Sequence, residues 1–535
     1  MRFFRRAVIL SHRYLGIVLS LLVIMWFATG ITMMYWGGMP RVTPELRLER
    51  LDPVDFAHVR LTPAEAAERA GLDTPGRATL VTLLDRPAYR FGSRSSTVVF
   101  ADSGDVLDEL SLEEAQDVAA SFTRTPASQV HHVRTLYEVD QWTLQSPLPL
   151  HKFRVDDEAG TEVYVQPQTG DVAMMTTRSS RGWAWVSTIP HWMYFTALRT
   201  NQPLWYRLVV WTSVLACVLA LLGLILGVTQ LRVFRPSRSF RLKAEATRNL
   251  IPYSGAMRWH YISGVVFGVF TLTFAFSGLV SMEPWEWTNA PGLELPRTAL
   301  SGGPVDLTRF TAHPPAEWDQ VLANRPAKEV EFTRMLDEPY YIVRSSAVER
   351  DEGDRERLHQ PYPIRHARIE DDRVLIAADT FTVRRGLFDQ ATLVERVRAA
   401  APEARIVQAE LLSEYDAYYY SRVGQVPLPA VRIKFDDPAE TWVYVDPSLS
   451  QVVTAINRWG RVERWVYHGL HSLDFPYLYN SRPSWDIVMI VLCLGGLTSS
   501  GLGIVLGLRR VRRALRWQVR LKPDTTTTPD SLTSP

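Results

Sequence analysis

Four apolar runs interrupt an otherwise polar chain, at roughly 14–36, 206–231, 260–282 and 486–508. Each holds about 20 residues or more, enough at about 1.5 Å per residue to cross about 30 Å of hydrocarbon. The pattern predicts four transmembrane helices, with large polar segments at 37–205 and 283–485 and a short connector at 232–259. An N-terminal apolar run preceded by arginines resembles a cleaved signal. This one is too long and ends in Met33-Met34-Tyr35-Trp36 with no small-x-small site, so it reads as a retained span.

Two of the runs are one segment written twice. His12-Arg-Tyr-Leu-Gly16 to Thr29-Gly30 aligns without gaps, at one fixed offset, on His260-Tyr-Ile-Ser-Gly264 to Ser277-Gly278. A second fixed offset, slightly longer, pairs Pro149 with Pro429, Val163-Tyr164-Val165 with Val443-Tyr444-Val445, His191 with His471, Trp205 with Trp485, and Gly223 and Gly227 with Gly503 and Gly507. The chain therefore reads as a tandem duplication, each half passing out and back. Parallel halves and the lack of a mid-span acid or lysine argue against a proton-coupled carrier built on inverted repeats.

The polar segments read as two α+β modules. Thr62-Pro63-Ala-Glu65 and Ser111-Leu-Glu-Glu114 are helix starts with capping-box spacing. Strand-like runs lie at 88–91 and 97–101, then at 153–155 and 161–165 with a turn at 167–170, and this last unit recurs at 431–435 and 441–445. The charged stretch between 344 and 369 reads as a long loop, and 525 onward as disordered.

Charge sets orientation. Residues 1–13, the connector and the segment 509–535 hold 18 of the 59 Lys and Arg but only 3 of the 57 Asp and Glu. The positive-inside rule then places both termini and the connector in the cytoplasm and both large segments outside. The basic ends touch anionic membrane lipid and imply no nucleic acid. Cys217 and Cys493 both fall inside apolar runs, so neither polar segment has a disulfide, and without Cys-x-x-Cys-His there is no covalent c-type haem.

Histidines carry the candidate chemistry. On a helix, His12 shares a face with Gly30 and lies near Gly16 and Ser20; His260 does the same with Gly278, Gly264 and Gly268. Small residues there either let helices approach or leave room for a flat macrocycle held by the imidazole. His191 and His471 stand at one repeat position, in aromatic stretches that lead into Trp205 and Trp485. His468 has no counterpart, Thr188 taking its place, and is a possible substitute ligand. His131, His132, His151, His313, His359 and His366 lack metal-ligand spacing and read as surface residues.

The strand-and-turn motifs Tyr444-Val445-Asp446-Pro447 and Tyr164-Val165-Gln166-Pro167, set between helices beginning His-x-x-x-Gly, resemble the PepSY-associated transmembrane proteins. The stretch Trp465-Val-Tyr-His468-Gly-Leu-His471, followed by Arg482-Pro-Ser-Trp485, resembles them most specifically. The resemblance covers nearly all of 1–520. It implies an α-helical integral membrane protein with four transmembrane helices in two tandem repeats and two α+β PepSY-like periplasmic domains, in the bacterial inner membrane. Some members are ferric-siderophore reductases with b-type haem. On that pattern, two non-covalent haems b would have their iron held by His12 with His260 near the cytoplasmic face and by His191 with His471 near the periplasmic face, passing electrons to a periplasmic ferric-siderophore.

No Gly-x-Gly-x-x-Gly follows a strand, and the cytoplasmic pieces are too short for a nucleotide- or flavin-binding fold. The donor would be a membrane quinol or a separate cytoplasmic reductase. The alternative is a cofactor-free, membrane-anchored PepSY protein that binds or regulates an envelope partner.

Overall fold

The computed structural model describes residues 2–36, 38–73, 75–92, 96–230, 251, 253–289, 292–296, 298–311, 318, 322, 326–345, 373–420, 426–479 and 481–520. Most of the basic connector, nearly all of the long loop read at 344–369, His313, His359, His366 and the tail from 521 lie outside the described residues. The chain divides into a helical unit (Met1–Met34, Pro203–Trp285, Trp465–Pro535) and a sheet unit (Tyr35–Gln202, Glu286–Arg464).

Among the described residues, the helices long and apolar enough to cross a membrane number four. They are α1 (Arg2–Met33), α2 (Gln202–Gln230), α3 (Gly255–Val280) and α4 (Ser484–Arg520). Two of them overrun their apolar stretches into arginine-rich sequence, α1 at its start and α4 at its end. Arginine is a good helix former whose stem lies along apolar surface while its head stays in water, so the backbone ladder does not stop where the hydrocarbon does. His12 consequently sits about three turns inside α1 rather than at a helix mouth.

Glycines set how closely these helices pack. Gly496 of α4 takes the Phe27 ring of α1, and Gly495 takes the Phe267 ring of α3; a Cβ at either glycine would run into the ring. A Cβ at Gly507 would lie 3.0 Å from Ile17 of α1, and one at Gly227 of α2 would lie 2.9 Å from Val265 of α3. These last two contacts join positions that correspond under the two offsets of the duplication.

Among its described residues, the sheet unit holds one seven-stranded antiparallel sheet and two four-stranded ones. The large sheet combines β1 (Ala78–Leu83), β2 (Arg86–Phe91) and β3 (Thr97–Phe100) with β8 (Glu329–Met335), β9 (Glu338–Arg344), β10 (Arg373–Ala377) and β11 (Val383–Arg384). Its order is β11-β10-β9-β8-β1-β2-β3, so β1 of the first polar segment pairs with β8 of the second. The two polar segments are thus joined through a shared sheet, where the sequence suggested separate modules. Ion pairs reinforce the seam: buried Glu329 meets Arg47, Arg77 and Arg344, and Glu331 meets Arg77 at 2.9 Å and Arg344 at 2.8 Å.

The smaller sheets are meanders, β4 (Val130–Leu136) to β7 (Asp171–Thr176) through β5 (Leu150–Val155) and β6 (Glu162–Gln166), and β12 (Ile406–Leu412) to β15 (Gln451–Ile456) through β13 (Ala430–Phe435) and β14 (Trp442–Asp446). Both shift register at the same place, Tyr164/Val165 and Tyr444/Val445. The helix Leu112–Thr123 buries Ala115 and Ala119 on Phe153 and Val163, and Gln390–Ala400 buries Leu393 and Val397 on Ile433 and Val443. The capping boxes at Thr62 and Ser111 form as their spacing predicts.

Candidate functional site

Within the helical unit, α1 and α3 bring His12 and His260 together with ring centres 6.3 Å apart and planes inclined at 36°. Each ring is aimed by the helix that follows it in sequence. His12 Nδ1 lies 3.1 Å from the Leu219 carbonyl oxygen of α2, and His260 Nδ1 lies 2.9 Å from the Ser499 carbonyl oxygen of α4. A carbonyl only accepts, so Nδ1–H donates in both rings and each Nε2 keeps its lone pair.

A mid-helix carbonyl is usually screened by the side chain four residues on. Here that residue is glycine both times, Gly223 after Leu219 and Gly503 after Ser499, which bares the second lone pair of the oxygen. The rings rest on the same glycines: a Cβ would meet His12 Cε1 at 2.9 Å from Gly223, and His260 Cε1 at 3.5 Å from Gly503. Leu219 and Ser499 correspond under the second offset, as the two glycines do, and the histidines under the first. Two equivalent sockets face each other.

An imidazole whose Nδ1–H is held by a carbonyl has its tautomer fixed and its other nitrogen made a better electron donor, the usual state of a metal ligand. With metal–nitrogen bonds of about 2 Å, two imidazoles on opposite sides of one metal have ring centres about 6 Å apart. The observed spacing fits. Two nitrogens do not hold a bare ion well, and among the described residues no group of three or more His, Cys, Asp or Glu is placed to do so. A haem takes two such ligands, so His12 and His260 are residues that could hold one.

The small residues do not all pack equally tightly. Gly268 lies tight against Leu224, a Cβ falling 2.9 Å from its Cδ2, and serves close helix packing. Gly16 and Gly264 have only ordinary contacts, at 3.8 Å to Leu219 and 3.7 Å to Ser499.

His471 occupies a third notch of the same design. It stands on the turn Leu470–Ser472, which follows a π-helical stretch, Arg464–Gly469. Its Nδ1 lies 3.3 Å from the Phe274 carbonyl oxygen and 3.0 Å from Ser277 Oγ on α3, and its ring rests on Gly278, four residues after Phe274. His468, three residues earlier, packs against Tyr467 at 4.5 Å between ring centres. His191 is half-buried on the short helix Thr188–Trp192 of the sheet unit, whereas His471 belongs to the helical unit.

The sequence matches the family of the PepSY-associated TM region over residues 9–510. The chain belongs to that family. No curated protein matches it. The matched region of this PepSY-associated chain includes all three notches, from His12 to Gly503, and leaves out Arg2, Arg5, Arg6 and the segment from 511.

Sequence patterns singled out the histidines of this PepSY-associated protein, and Gly223, Gly503 and Ser277 as repeat markers, but missed the carbonyls of Leu219, Ser499 and Phe274. A backbone carbonyl has no residue signature. The available signal was the second offset itself, which sets Leu219 against Ser499 one turn before the paired glycines. Elsewhere, His132 and His151 meet across β4 and β5 with ring centres 5.9 Å apart, and Thr135 Oγ1 lies 2.8 Å from His151 Nδ1. Burial, then the neighbouring His132, holds the His151 imidazole below its ordinary range. His131 pairs with Asp156 at 2.7 Å.

Proposed function

We propose that this membrane protein is a tandemly duplicated haem b protein that delivers electrons to ferric iron, with His12 and His260 as the axial ligands of one haem. The observation that carries the reading is the facing pair itself: ring centres 6.3 Å apart, each Nδ1 tied to a carbonyl and each Nε2 left to bind. A haem held there would supply a one-electron Fe(III)/Fe(II) couple. The chain's part is to bind and orient. Leu219 and Ser499 fix the tautomers, and Gly223 and Gly503 admit the rings.

A second haem at His191 and His471, with His468 as substitute, is supported by the repeat position of the two histidines and by the notch around His471. The meanders read as PepSY-like modules on the periplasmic side of the inner membrane, both termini being cytoplasmic; the arginine distribution supports that orientation. The acceptor is a ferric-siderophore, whose iron is more weakly held by hard oxygen donors once reduced. A membrane quinol or a separate cytoplasmic reductase is the donor.

The test is haem content in His12→Ala and His260→Ala, purified in detergent and checked for folding by gel filtration. Each variant is expected to lose one haem per chain. Unchanged haem content in both would refute the assignment.

A further inference from the structure

The helix Arg178–Val186 of the sheet unit turns its polar side inward and its aromatic side outward. Polar contacts fasten it to the first meander. Thr177 Oγ1 accepts from the Ser180 N–H at 3.1 Å, the Arg178 N–H donates to the Ala159 carbonyl oxygen at 2.8 Å, and the Arg181 guanidinium donates to Thr176 Oγ1 at 2.8 Å and to the Gly160 carbonyl oxygen at 3.0 Å. Ala184 is fully buried, whereas Trp183 and Trp185 on either side of it in sequence are 43% and 48% exposed. At about 100° per residue, Gly182 falls between the two tryptophans on the side away from Ala184. The outward rings are held in place: Trp183 stacks on Trp36 with centres 5.5 Å apart, and Trp185 meets the exposed Phe195 at 6.2 Å.

We propose that this face docks in the interfacial layer of the membrane, at the leaflet where α2 begins, with lipid headgroups and the upper acyl chains as its partner. A large aromatic surface left bare on a polar unit is a binding surface, and tryptophan, apolar in body with one N–H to satisfy, favours the headgroup level over both water and the hydrocarbon centre. Two further observations select lipid. The segment runs directly on into α2, which opens at Gln202. No Asp or Glu occurs between Val172 and Ala244, whereas Arg178, Arg181 and Arg199 do, and arginine beside tryptophan is the composition of a helix lying in the interface. The second repeat does not copy the face: under the second offset Glu463 stands where Trp183 does, and Trp465, the counterpart of Trp185, stacks on Phe475 at 6.2 Å. The docking face is therefore a property of the first half.

The experiment places a nitroxide on Gly182→Cys, in full-length protein carrying Cys217→Ser and Cys493→Ser, reconstituted into vesicles of phosphatidylethanolamine and phosphatidylglycerol. A Cβ at Gly182 meets nothing within 4 Å, so the label sits on the proposed face with both tryptophans kept. Spin relaxation by dissolved oxygen, which concentrates in lipid, is compared with relaxation by a water-soluble nickel chelate. Leu112→Cys, at an exposed position followed by Glu113 and Glu114, is the aqueous reference. The oxygen-to-nickel ratio at Gly182 should exceed that reference severalfold and correspond to a depth of about 5–10 Å. Adding Trp183→Ser and Trp185→Ser should return it towards the reference, and the single-label result stands by itself if that variant does not fold. A ratio equal to that at Leu112 would overturn the proposal. Shielding from both reagents would overturn it too, since a protein partner would then cover the face.

Discussion

At His12 and His260 the decisive atoms belong to other residues. A free imidazole can present either nitrogen, and only the carbonyls of Leu219 and Ser499 commit both rings to the same tautomer. Gly223→Ala should therefore act as a ligand-positioning lesion, since its Cβ would sit 2.9 Å from His12 Cε1 and push the ring off its carbonyl. Haem retention is expected to weaken about tenfold, the size typical of losing a partner behind a metal ligand. Gly501→Ala, which meets nothing within 4 Å, is the matched control and should retain haem as wild type does. Competition with apomyoglobin measures both. The histidines were legible because they recur at fixed offsets; their partners were not, because the main chain supplies them.

Among the elements, β8 shows most clearly what local pattern misses. Glu-Val-Glu-Phe-Thr-Arg-Met reads as half polar, yet Glu329 is 2% exposed. Its partners come from elsewhere: Arg47 and Arg77 lie in the first polar segment, and Arg344 on the neighbouring strand β9. Burial pushes the Glu329 and Glu331 carboxyls up, but the arginines outweigh it and hold both below the ordinary carboxylate range. A carboxylate lowered in the folded state stabilises it above the unfolded value, about 4.3, and that contribution is lost as pH falls through the folded value. Acidification below about pH 4.3 should thus loosen the β1–β8 seam, seen as faster amide exchange at Leu80 and Val81, which pair with Val330 and Glu329. At neutral pH, Glu329→Gln should cost the sheet unit about 2 kcal/mol, because it removes the buried charge that the partly exposed Arg47, Arg77 and Arg344 share. A melting curve indistinguishable from wild type would show that the cluster is not a stabilising seam. The capping boxes and the meander strands, by contrast, were legible because their signals span only a few residues.

Over the whole molecule, the fixed sequence offsets were readable and the strand pairing was not. Fixed offsets gave two copies of span, polar segment and span; they could not reveal that strands from both copies share a sheet, since that register joins strands from opposite halves of the chain. The reach of α1 to Arg2 and of α4 to Arg520 also exceeded the apolar runs, because helical hydrogen bonding continues where hydropathy ends. The arginines at these ends support cytoplasmic termini, so a tag at residue 535 should resist protease in intact spheroplasts and be cleaved after lysis. Cleavage before lysis would reverse the orientation and put the sheet unit on the cytoplasmic side. The claim on which the functional account depends is met most directly by an absorption spectrum of the detergent-purified protein from haem-replete cells. The account predicts a Soret band and sharp α-bands on reduction with dithionite. A colourless preparation of correctly folded protein would contradict it.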